Sequence, residues 1–259
     1  MPWPQSANSA GPIARRNKTT RSPGINWGAP SARTQRPSSV PPGKSTENDV
    51  ADYLRRRTEE FGATVPFLSV VVGPTRGHSD PTGRVIRPGD LVRIDFGITH
   101  RGYSTDIQRT AYVLRPGETA PPAEIQKMWE TCRTATDSAI AAMRPSVTGL
   151  DIDTVARKVL TDAGYQGYPH AAGHPIGFEV HDVGPLLGPD WPERYGSTVF
   201  FKLEQDQTFA VEPILYADYA PMGGEINIGL EEDVVITAHG VERLHPRQDA
   251  LILLRSSQP

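Results

Sequence analysis

Three of the seven histidines in this 259-residue chain fall within one short, glycine-rich stretch. His170, His174 and His181 lie in the segment HAAGHPIGFEVHDVGP, which lacks helical periodicity and is typical of a strand or loop. Imidazole is a common metal ligand and a common acid or base near neutral pH. The stretch is therefore the first candidate for a reactive or metal-binding segment.

Two aspartates form the second candidate. The sequence predicts a turn at residues 100–102, and a hairpin centred between residues 100 and 101 would set the side chains of Asp95 and Asp106 opposite each other. Two like charges on a half-buried hairpin are unfavourable, and each raises the pKa of the other. On this hairpin alone, a solvated surface pair remains an equal alternative.

The same arrangement recurs later in the chain. Glu212 and Glu231 are equally distant from the Pro221–Met222 junction, which predicts that they oppose each other across a second hairpin. The simplest compensation for four clustered carboxylates is a cation, and two adjacent metal ions need bridging carboxylates. Oxygen-rich ligation with one imidazole favours manganese, with cobalt, iron or zinc as alternatives.

Two helices with the same layout precede the regions that contain these carboxylates. Thr46 and Gly62 bound the first helix, and Thr148 and Gly164 bound the second at the same spacing. Each helix leads into a β-rich region, which makes a faint repeat of about 100 residues. The sequence predicts an α+β fold of two similar halves with mostly antiparallel strands. A further helix over 122–145 precedes only the second copy, so the first half lacks its counterpart.

Residues 1–41 differ in composition from the rest of the chain. They are rich in proline, serine and arginine and show no periodicity, so we predict a disordered tail followed by a folded domain over 42–259. The first 46 residues hold seven basic residues and no acidic one, whereas the remainder has 20 basic against 30 acidic residues. A basic tail can bind nucleic acid or act as a targeting segment. Its prolines oppose a targeting helix, so a solvated extension without a nucleic-acid partner is the preferred interpretation.

No apolar run approaches the length of a membrane span, and no secretory signal is evident at the N-terminus. The single cysteine, Cys132, cannot form an internal disulfide. It has helical spacing with Ile125, Met128 and Trp129, which predicts a small buried side chain and not a nucleophile. We therefore expect a cytoplasmic protein with no membrane partner.

From about residue 42 to 254 the chain resembles the pita-bread metallopeptidases. These include methionine aminopeptidase, Xaa-Pro aminopeptidase, prolidase and the metal-free relative creatinase. The resemblance implies the pita-bread fold, two pseudo-symmetric halves with a curved antiparallel sheet, and two divalent metal ions with manganese favoured. The metal ligands it implies are Asp95, Asp106, His174 in GHPIG, Glu212 in FAVEP and Glu231 in GLEEDVVIT.

The resemblance also implies roles around the metal site. Glu212 takes the proton of the attacking water, and His181 and His78 contact the substrate and the reaction intermediate. His170 and the HDVGP motif are similar to the proline-specific branch, so His78, His170 and His181 would surround the substrate. The activity implied is hydrolysis of N-terminal Xaa-Pro bonds of short peptides by an exopeptidase. Each lone histidine has a hydrogen-bonded structural role as its alternative.

The chain departs from the family pattern in three places. The proline-specific members carry a separate N-terminal domain and a first helix that are missing here, and Gly229 stands where many relatives have an arginine. Three alternatives stay open: a non-catalytic pita-bread module that binds peptides, a methionine aminopeptidase-like enzyme, and a creatinase-like hydrolase. The complete ligand set argues against the first and third. The resemblance also allows a homodimer.

Overall fold

Helices and antiparallel strands alternate in two successive blocks of the chain. The structure is a computed structural model that describes residues 42–74 and 77–255. The described helices are α1 (Glu47–Glu60), α2 (Ala123–Ala142), α3 (Gly149–Asp162) and the short α4 (Pro192–Tyr195). The described strands are β1 (Leu68–Val72), β2 (Leu91–Phe96), β3 (Thr99–His100), β4 (Tyr103–Ser104), β5 (Ile107–Val113), β6 (Gly173–Pro175), β7 (Thr208–Val211), β8 (Ile214–Tyr219), β9 (Gly224–Gly229), β10 (Glu232–Thr237), β11 (Gly240–Arg243) and β12 (Ile252–Leu254). The predicted tail over 1–41, and with it the question of a missing first helix, lies outside the described residues.

Helices α1 and α3 begin with the same pair of reciprocal hydrogen bonds. The backbone N–H of Asp49 donates to Thr46 Oγ1 at 3.2 Å, and the N–H of Thr46 donates to Asp49 Oδ2 at 2.8 Å. Thr148 and Asp151 repeat this arrangement at 3.3 and 3.0 Å. Each box satisfies two backbone groups that the first turn would otherwise leave unpaired. Both predicted helices are confirmed.

The strand order shows that the two blocks are copies of one design. One sheet has the order β1-β2-β5-β12 and the other has the order β11-β10-β7-β6. In each sheet three antiparallel strands follow in sequence, and a hairpin, β3–β4 or β8–β9, extends between the second and the third. The parallel pair of β5 and β12 is an exception to the antiparallel pattern. Two similar α+β halves are therefore present as predicted.

The predicted register of the first hairpin is wrong. Asp95 in β2 pairs with Gln108 in β5, and Asp106 lies in the irregular segment before β5. The cause is the turn, which consists of the two residues Arg101 and Gly102 with φ angles of 53° and 83°. Such two-residue turns match the twist of the flanking strands. The turn centre therefore lies one residue later than predicted, and Asp106 does not face Asp95 across the strands.

The predicted register of the second hairpin is confirmed. Val211 pairs with Glu232 on one side of the gap between strands, and Ile214 pairs with Gly229 on the other side. Glu212 and Glu231 lie in this gap, opposite each other. Neither residue belongs to a strand, so their side chains are not constrained by the regular alternation of a ladder.

Helix α2 packs against the second hairpin. Cys132 is fully buried, and its Sγ donates to the carbonyl oxygens of Pro213 and Ile228 at 3.3 and 3.2 Å. Burial raises the pKa of its thiol to about 12, so the side chain is an inert member of the core, as predicted. Thr136 Oγ1 donates to the carbonyl oxygen of Leu230 at 3.2 Å. The helix thus contacts the chain directly beside Glu212 and Glu231. Across residues 42–74 and 77–255, no helix has the length and apolarity needed to cross a membrane.

Replacing Thr148 by alanine should lower the free energy of unfolding by about 1 kcal/mol, because the variant loses the side-chain cap of α3. The control is Thr154→Ala on the same helix, where the exposed hydroxyl donates only to the carbonyl of Leu150. Urea denaturation followed by circular dichroism measures both variants. Equal midpoints for the two variants would contradict the capping role.

Candidate metal centre

The five predicted ligand residues converge at one point between the two sheets. They come from five separate segments: Asp95 from β2, Asp106 from the residues before β5, His174 from β6, Glu212 from the residues after β7 and Glu231 from the residues before β10. Potential ligand atoms of Asp95, Asp106 and Glu231 lie within 4.8 Å of one another, and so do those of His174, Glu212 and Glu231. Because Glu231 belongs to both groups, the arrangement has room for two neighbouring cations that share one carboxylate.

The ligand atoms are buried, and most lack partners. Asp95, Asp106, His174 and Glu231 are each exposed by 5% or less, whereas the Glu212 side chain is 16% exposed. Within the described residues, no hydrogen-bond donor or acceptor reaches Asp95 Oδ1, Asp106 Oδ1, His174 Nε2 or either oxygen of Glu231. Burial of unpaired polar atoms costs free energy, and charged ones cost more. Divalent cations would satisfy all of these atoms, so the residues present fit a metal centre.

His174 is arranged as a neutral ligand. Its Nδ1 lies 3.1 Å from the carbonyl oxygen of Pro175, a distance at which an Nδ1–H donates. The lone pair is then on Nε2, which lies 3.5 Å from Asp106 Oδ2 and 3.9 Å from Glu212 Oε1. Burial lowers the pKa of His174 to about 3, so the ring is neutral at physiological pH. A backbone partner on the other nitrogen is typical of metal-binding histidines.

Three of the carboxylates, those of Asp106, Glu212 and Glu231, resist ionisation when no cation is present. Burial, followed by the negative charge of Asp95, raises the pKa of Glu212 to about 8. Burial and the surrounding carboxylates also raise the pKa values of Asp106 and Glu231 well above their ordinary range. Bound cations reverse this balance because their charge favours the ionised form of each acid.

Hydrogen bonds between the two halves hold the ligand segments together. The backbone N–H of Glu231 donates to the carbonyl of Gln108 at 3.2 Å, and that of Asp106 donates to Asp233 Oδ2 at 3.1 Å. Arg109 Nη1 donates to the carbonyl of Glu231 at 2.6 Å. Residues 106–110 and 229–233 therefore form a seam, a name kept below for these two segments. The seam fixes the distance between the ligands of the two halves.

Sequence reasoning missed several residues around the seam. Asp95 Oδ2 accepts a hydrogen bond from Gln108 Nε2 at 2.7 Å. His245 Nδ1 lies 3.3 Å from Glu232 Oε2, and its Nε2 accepts from the N–H of Asp233 at 2.9 Å. In the sequence, only the adjacent acids Glu232 and Asp233 indicated that further polar groups surround the ligands. Gln108 lies 13 residues from Asp95 and His245 lies 12 residues from Asp233, so each contact depends on how the chain folds back, and no short motif indicated it.

Arg109 and Tyr103 lie close to the two aspartates in sequence, but their side chains contact other groups. Arg109 binds the backbone of the seam, and its Nη2 lies 3.4 Å from Glu232 Oε1. The Tyr103 ring stacks on Phe178 with ring centroids 4.9 Å apart. These side chains therefore support the surroundings of the aspartates and are not hydrogen-bonded to their carboxylates.

Two of the remaining predicted histidines lie on the open side of the centre. His181 is exposed, and its ring centroid is 4.2 Å from that of His174. The His78 side chain is 59% exposed, and its Nδ1 lies 2.8 Å from Asp95 Oδ2. This hydrogen bond raises the pKa of His78, whereas partial desolvation of the His181 ring by its neighbours and the charge of His78 lower the pKa of His181.

His170 lies apart from the ligand atoms. Its Nδ1 is 2.7 Å from the carbonyl oxygen of Ala171, and burial lowers its pKa to about 4. The ring lies between Tyr168 and Tyr216, with centroid distances of 5.0 and 6.5 Å. The potential metal-binding groups found in the described part of the chain do not include His170. The structure thus separates His170 from the ligand set, and its predicted contact with substrate stays a prediction.

Comparison with known sequences places these residues in a family. Residues 31–238 match the profile of metallopeptidase family M24. The Xaa-Pro dipeptidase of Lactobacillus delbrueckii subsp. lactis is 36% identical over 165 residues, which cover 63% of this chain and 39% of that protein. The Xaa-Pro dipeptidase of Pyrococcus furiosus is 29% identical over 213 residues, which cover 80% of this chain and 55% of that protein. The chain therefore matches about half or less of the length of these relatives.

Solved structures agree with the sequence comparison. A prolidase from Thermococcus sibiricus superposes with a TM-score of 0.71 and 28% identity, over 82% of this chain and 54% of that one. A methionine aminopeptidase from Rickettsia prowazekii has a TM-score of 0.65 and 19% identity, over 80% of this chain and 88% of that one, which shows a shared fold alone. The fold is the pita-bread fold, and the chain belongs to metallopeptidase family M24.

Proposed function

We propose that this chain is a dinuclear metal-dependent exopeptidase that hydrolyses N-terminal Xaa-Pro bonds of short peptides. The observation that carries the proposal is the group of buried, unpartnered ligand atoms around His174 and Glu231. The names of the relatives, Xaa-Pro dipeptidase and prolidase, support the choice of substrate. Because the chain matches only part of those proteins, both activity and substrate are proposals for it. A cytoplasmic location and the disordered tail stay predictions.

The donor set determines which cations fit. Asp95, Asp106 and Glu231 would hold one ion, and His174, Glu212 and Glu231 would hold the other. Four carboxylates and one neutral imidazole favour manganese, with cobalt, zinc or iron as alternatives. When bound, the cations supply Lewis acidity, which lowers the pKa of the attacking water.

Glu212 is the proposed proton carrier. It is the most accessible of the five ligand residues, so its carboxylate faces the side from which substrate enters. Burial raises the pKa of Glu212 to about 8 without metal, and bound cations would lower it. The ionised carboxylate is then available as a proton acceptor near neutral pH. Glu212 would take the proton of the attacking water and deliver it to the departing nitrogen.

The histidines provide the proposed contacts to a proline-containing substrate. An Xaa-Pro bond has no amide N–H, and its ring fixes φ, so the site must recognise the carbonyl and the ring instead. His78 and His181 lie on the open side, where an imidazole N–H can donate to the carbonyl oxygen. His170, kept neutral beside two tyrosines, offers a flat surface for the ring.

Glu212→Gln should lower turnover by at least about 100-fold with the fold retained, because an amide cannot accept the proton of the attacking water. The matched control is Glu204→Gln, which removes an exposed acid of the same half. Steady-state kinetics on Ala-Pro with added manganese measures both variants. Turnover of Glu212→Gln at the wild-type level would remove Glu212 from the mechanism.

The stability of the metal-free protein should fall as the pH rises from 6.5 to 8. In this range the folded protein holds protons on acids with raised pKa values, such as Glu212, whereas the unfolded chain does not. For each proton that the folded protein holds in excess, the free energy of unfolding falls by about 1.4 kcal/mol for every unit of increase in pH. His174 has the opposite dependence, but its contribution is complete above its ordinary pKa of 6.5.

The same experiment tests the cations. Saturating manganese should raise the melting temperature more at pH 8 than at pH 6.5, because cation and protons compete for the same carboxylates. Asp106→Asn removes one of the like charges and one ligand. The change in metal-free stability with pH, and the rise in melting temperature caused by manganese, should therefore both be smaller than in the wild type. Thermal denaturation with and without manganese gives the result. A metal-free stability that stays flat or rises over this range would contradict the proposed electrostatics.

Substrate choice should follow the proline-specific branch. We expect manganese- or cobalt-supported cleavage of Ala-Pro and Arg-Pro-Pro, and much slower cleavage of Met-Ala-Ser, in a side-by-side assay. A preference for Met-Ala-Ser over Ala-Pro-Ala would favour the methionine aminopeptidase-like alternative. Failure to cleave either peptide by folded, metal-loaded protein would favour the peptide-binding module, and full activity without bound metal would favour the creatinase-like alternative.

A further inference from the structure

Gln108 and Gly229 share one small space beside Asp95. A Cβ atom added to Gly229 would lie 1.5 Å from Gln108 Oε1 and 2.7 Å from its Cδ, which is far inside any real contact. Gly229 is not among the described glycines with a positive φ, and it pairs with Ile214 in a regular ladder. Its backbone conformation is therefore open to other residues. A larger residue at this position would have to displace the Gln108 side chain, which fills the space.

The Gln108 side chain holds the carboxylate of a proposed metal ligand. Gln108 is 1% exposed and pairs with Asp95 across β2 and β5, so the two side chains project from the same face. Its Nε2 donates to Asp95 Oδ2 at 2.7 Å, while Asp95 Oδ1 is left without a partner in the described chain. One oxygen of Asp95 is thus occupied, and the other stays available to a cation.

Gln108 also belongs to the seam through its backbone. Its carbonyl oxygen accepts from the N–H of Glu231 at 3.2 Å and from Arg109 Nη1 at 2.9 Å. The residue therefore contacts ligand segments of both halves, Asp95 with its side chain and Glu231 with its main chain. A displacement of Gln108 would change the distance between these two ligands.

We propose that Gln108 and Gly229 form a positioning pair for the metal centre, in which Gln108 orients the Asp95 carboxylate and Gly229 provides the room. This inference rests on the proposed metal-dependent function. Any side chain larger than that of glycine at position 229 would displace the Gln108 amide in this packing. An amide is also neutral, so it orients Asp95 without offsetting the negative charge that attracts the cations.

The first test uses Gln108→Met, which keeps the length of the side chain but cannot donate a hydrogen bond. We expect manganese affinity, measured by isothermal titration calorimetry, to fall about 10- to 100-fold. The melting temperature of the metal-free protein should change little, because Met also fills the space. The matched control is Gln207→Met, a buried glutamine that accepts from the N–H of Glu204 and should leave manganese affinity unchanged.

The second test is a double-mutant cycle that separates positioning from packing. Gly229→Ala should weaken manganese binding when Gln108 is present, because the added methyl group displaces the amide. In the Gln108→Ala background the space is empty, so adding Gly229→Ala should have no further effect on affinity. If Gln108→Met does not fold, this comparison tests the positioning pair without that variant.

The outcomes distinguish the positioning pair from the metal centre itself. Wild-type manganese affinity in folded Gln108→Met, or equal effects of Gly229→Ala in both backgrounds, would overturn the pair and leave the metal centre intact. A wild-type protein that binds no manganese, cobalt, zinc or iron in the calorimeter would overturn the metal centre and the pair together.

Discussion

The burial of four carboxylates at one point is the constraint on which the rest of this structure depends. Asp95, Asp106, Glu212 and Glu231 repel one another where water cannot screen them, and only protons or cations relieve that repulsion. The imidazole of His174 is kept neutral and adds no positive charge. The protein therefore sustains a local instability that metal binding would remove. Such a site couples metal affinity directly to folding stability.

The two-fold repeat explains how one chain brings so many acids together. Each half has its own capped helix, three antiparallel strands and a projecting hairpin, and each contributes carboxylates from the same part of its sheet. The seam joins the halves at the residues that neighbour the ligands. Five donor groups in these two five-residue segments make hydrogen bonds across it, including Thr110 Oγ1, which donates to the carbonyl of Gly229 at 2.8 Å. The geometry of the centre is thereby tied to the docking of the halves.

The open side of the centre has a different character from the buried side. The β3–β4 hairpin of the first half contacts the loop of the second half that follows His174, where the N–H of Ser104 donates to the carbonyl of Gly177 at 2.7 Å. Tyr103 and Phe178 stack at this contact, and Phe178 remains 58% exposed. Aromatic and imidazole rings thus lie on this side of the centre, whereas the carboxylates of Asp95, Asp106 and Glu231 are buried. This division is compatible with the proposed substrate, which would be recognised through a ring and a carbonyl group.

The sequence alone was sufficient to predict the helices, because a capping box and a closing glycine act within a few residues of each other. It also predicted the register of the second hairpin from its turn, and it indicated the ligand residues through motifs whose members the fold then brings together. The first hairpin shows the limit, since a turn centred one residue later pairs Asp95 with Gln108 in place of Asp106. Only the tertiary structure revealed the roles of Gln108, Gly229, Asp233 and His245. Some of their contacts, such as that between Asp106 and Asp233, join residues more than a hundred positions apart and depend on how the two halves pack. Others, such as Gln108 with Asp95 and His245 with Asp233, span 12 or 13 residues and depend on how the chain folds back on itself. No short motif in the chain encodes either kind.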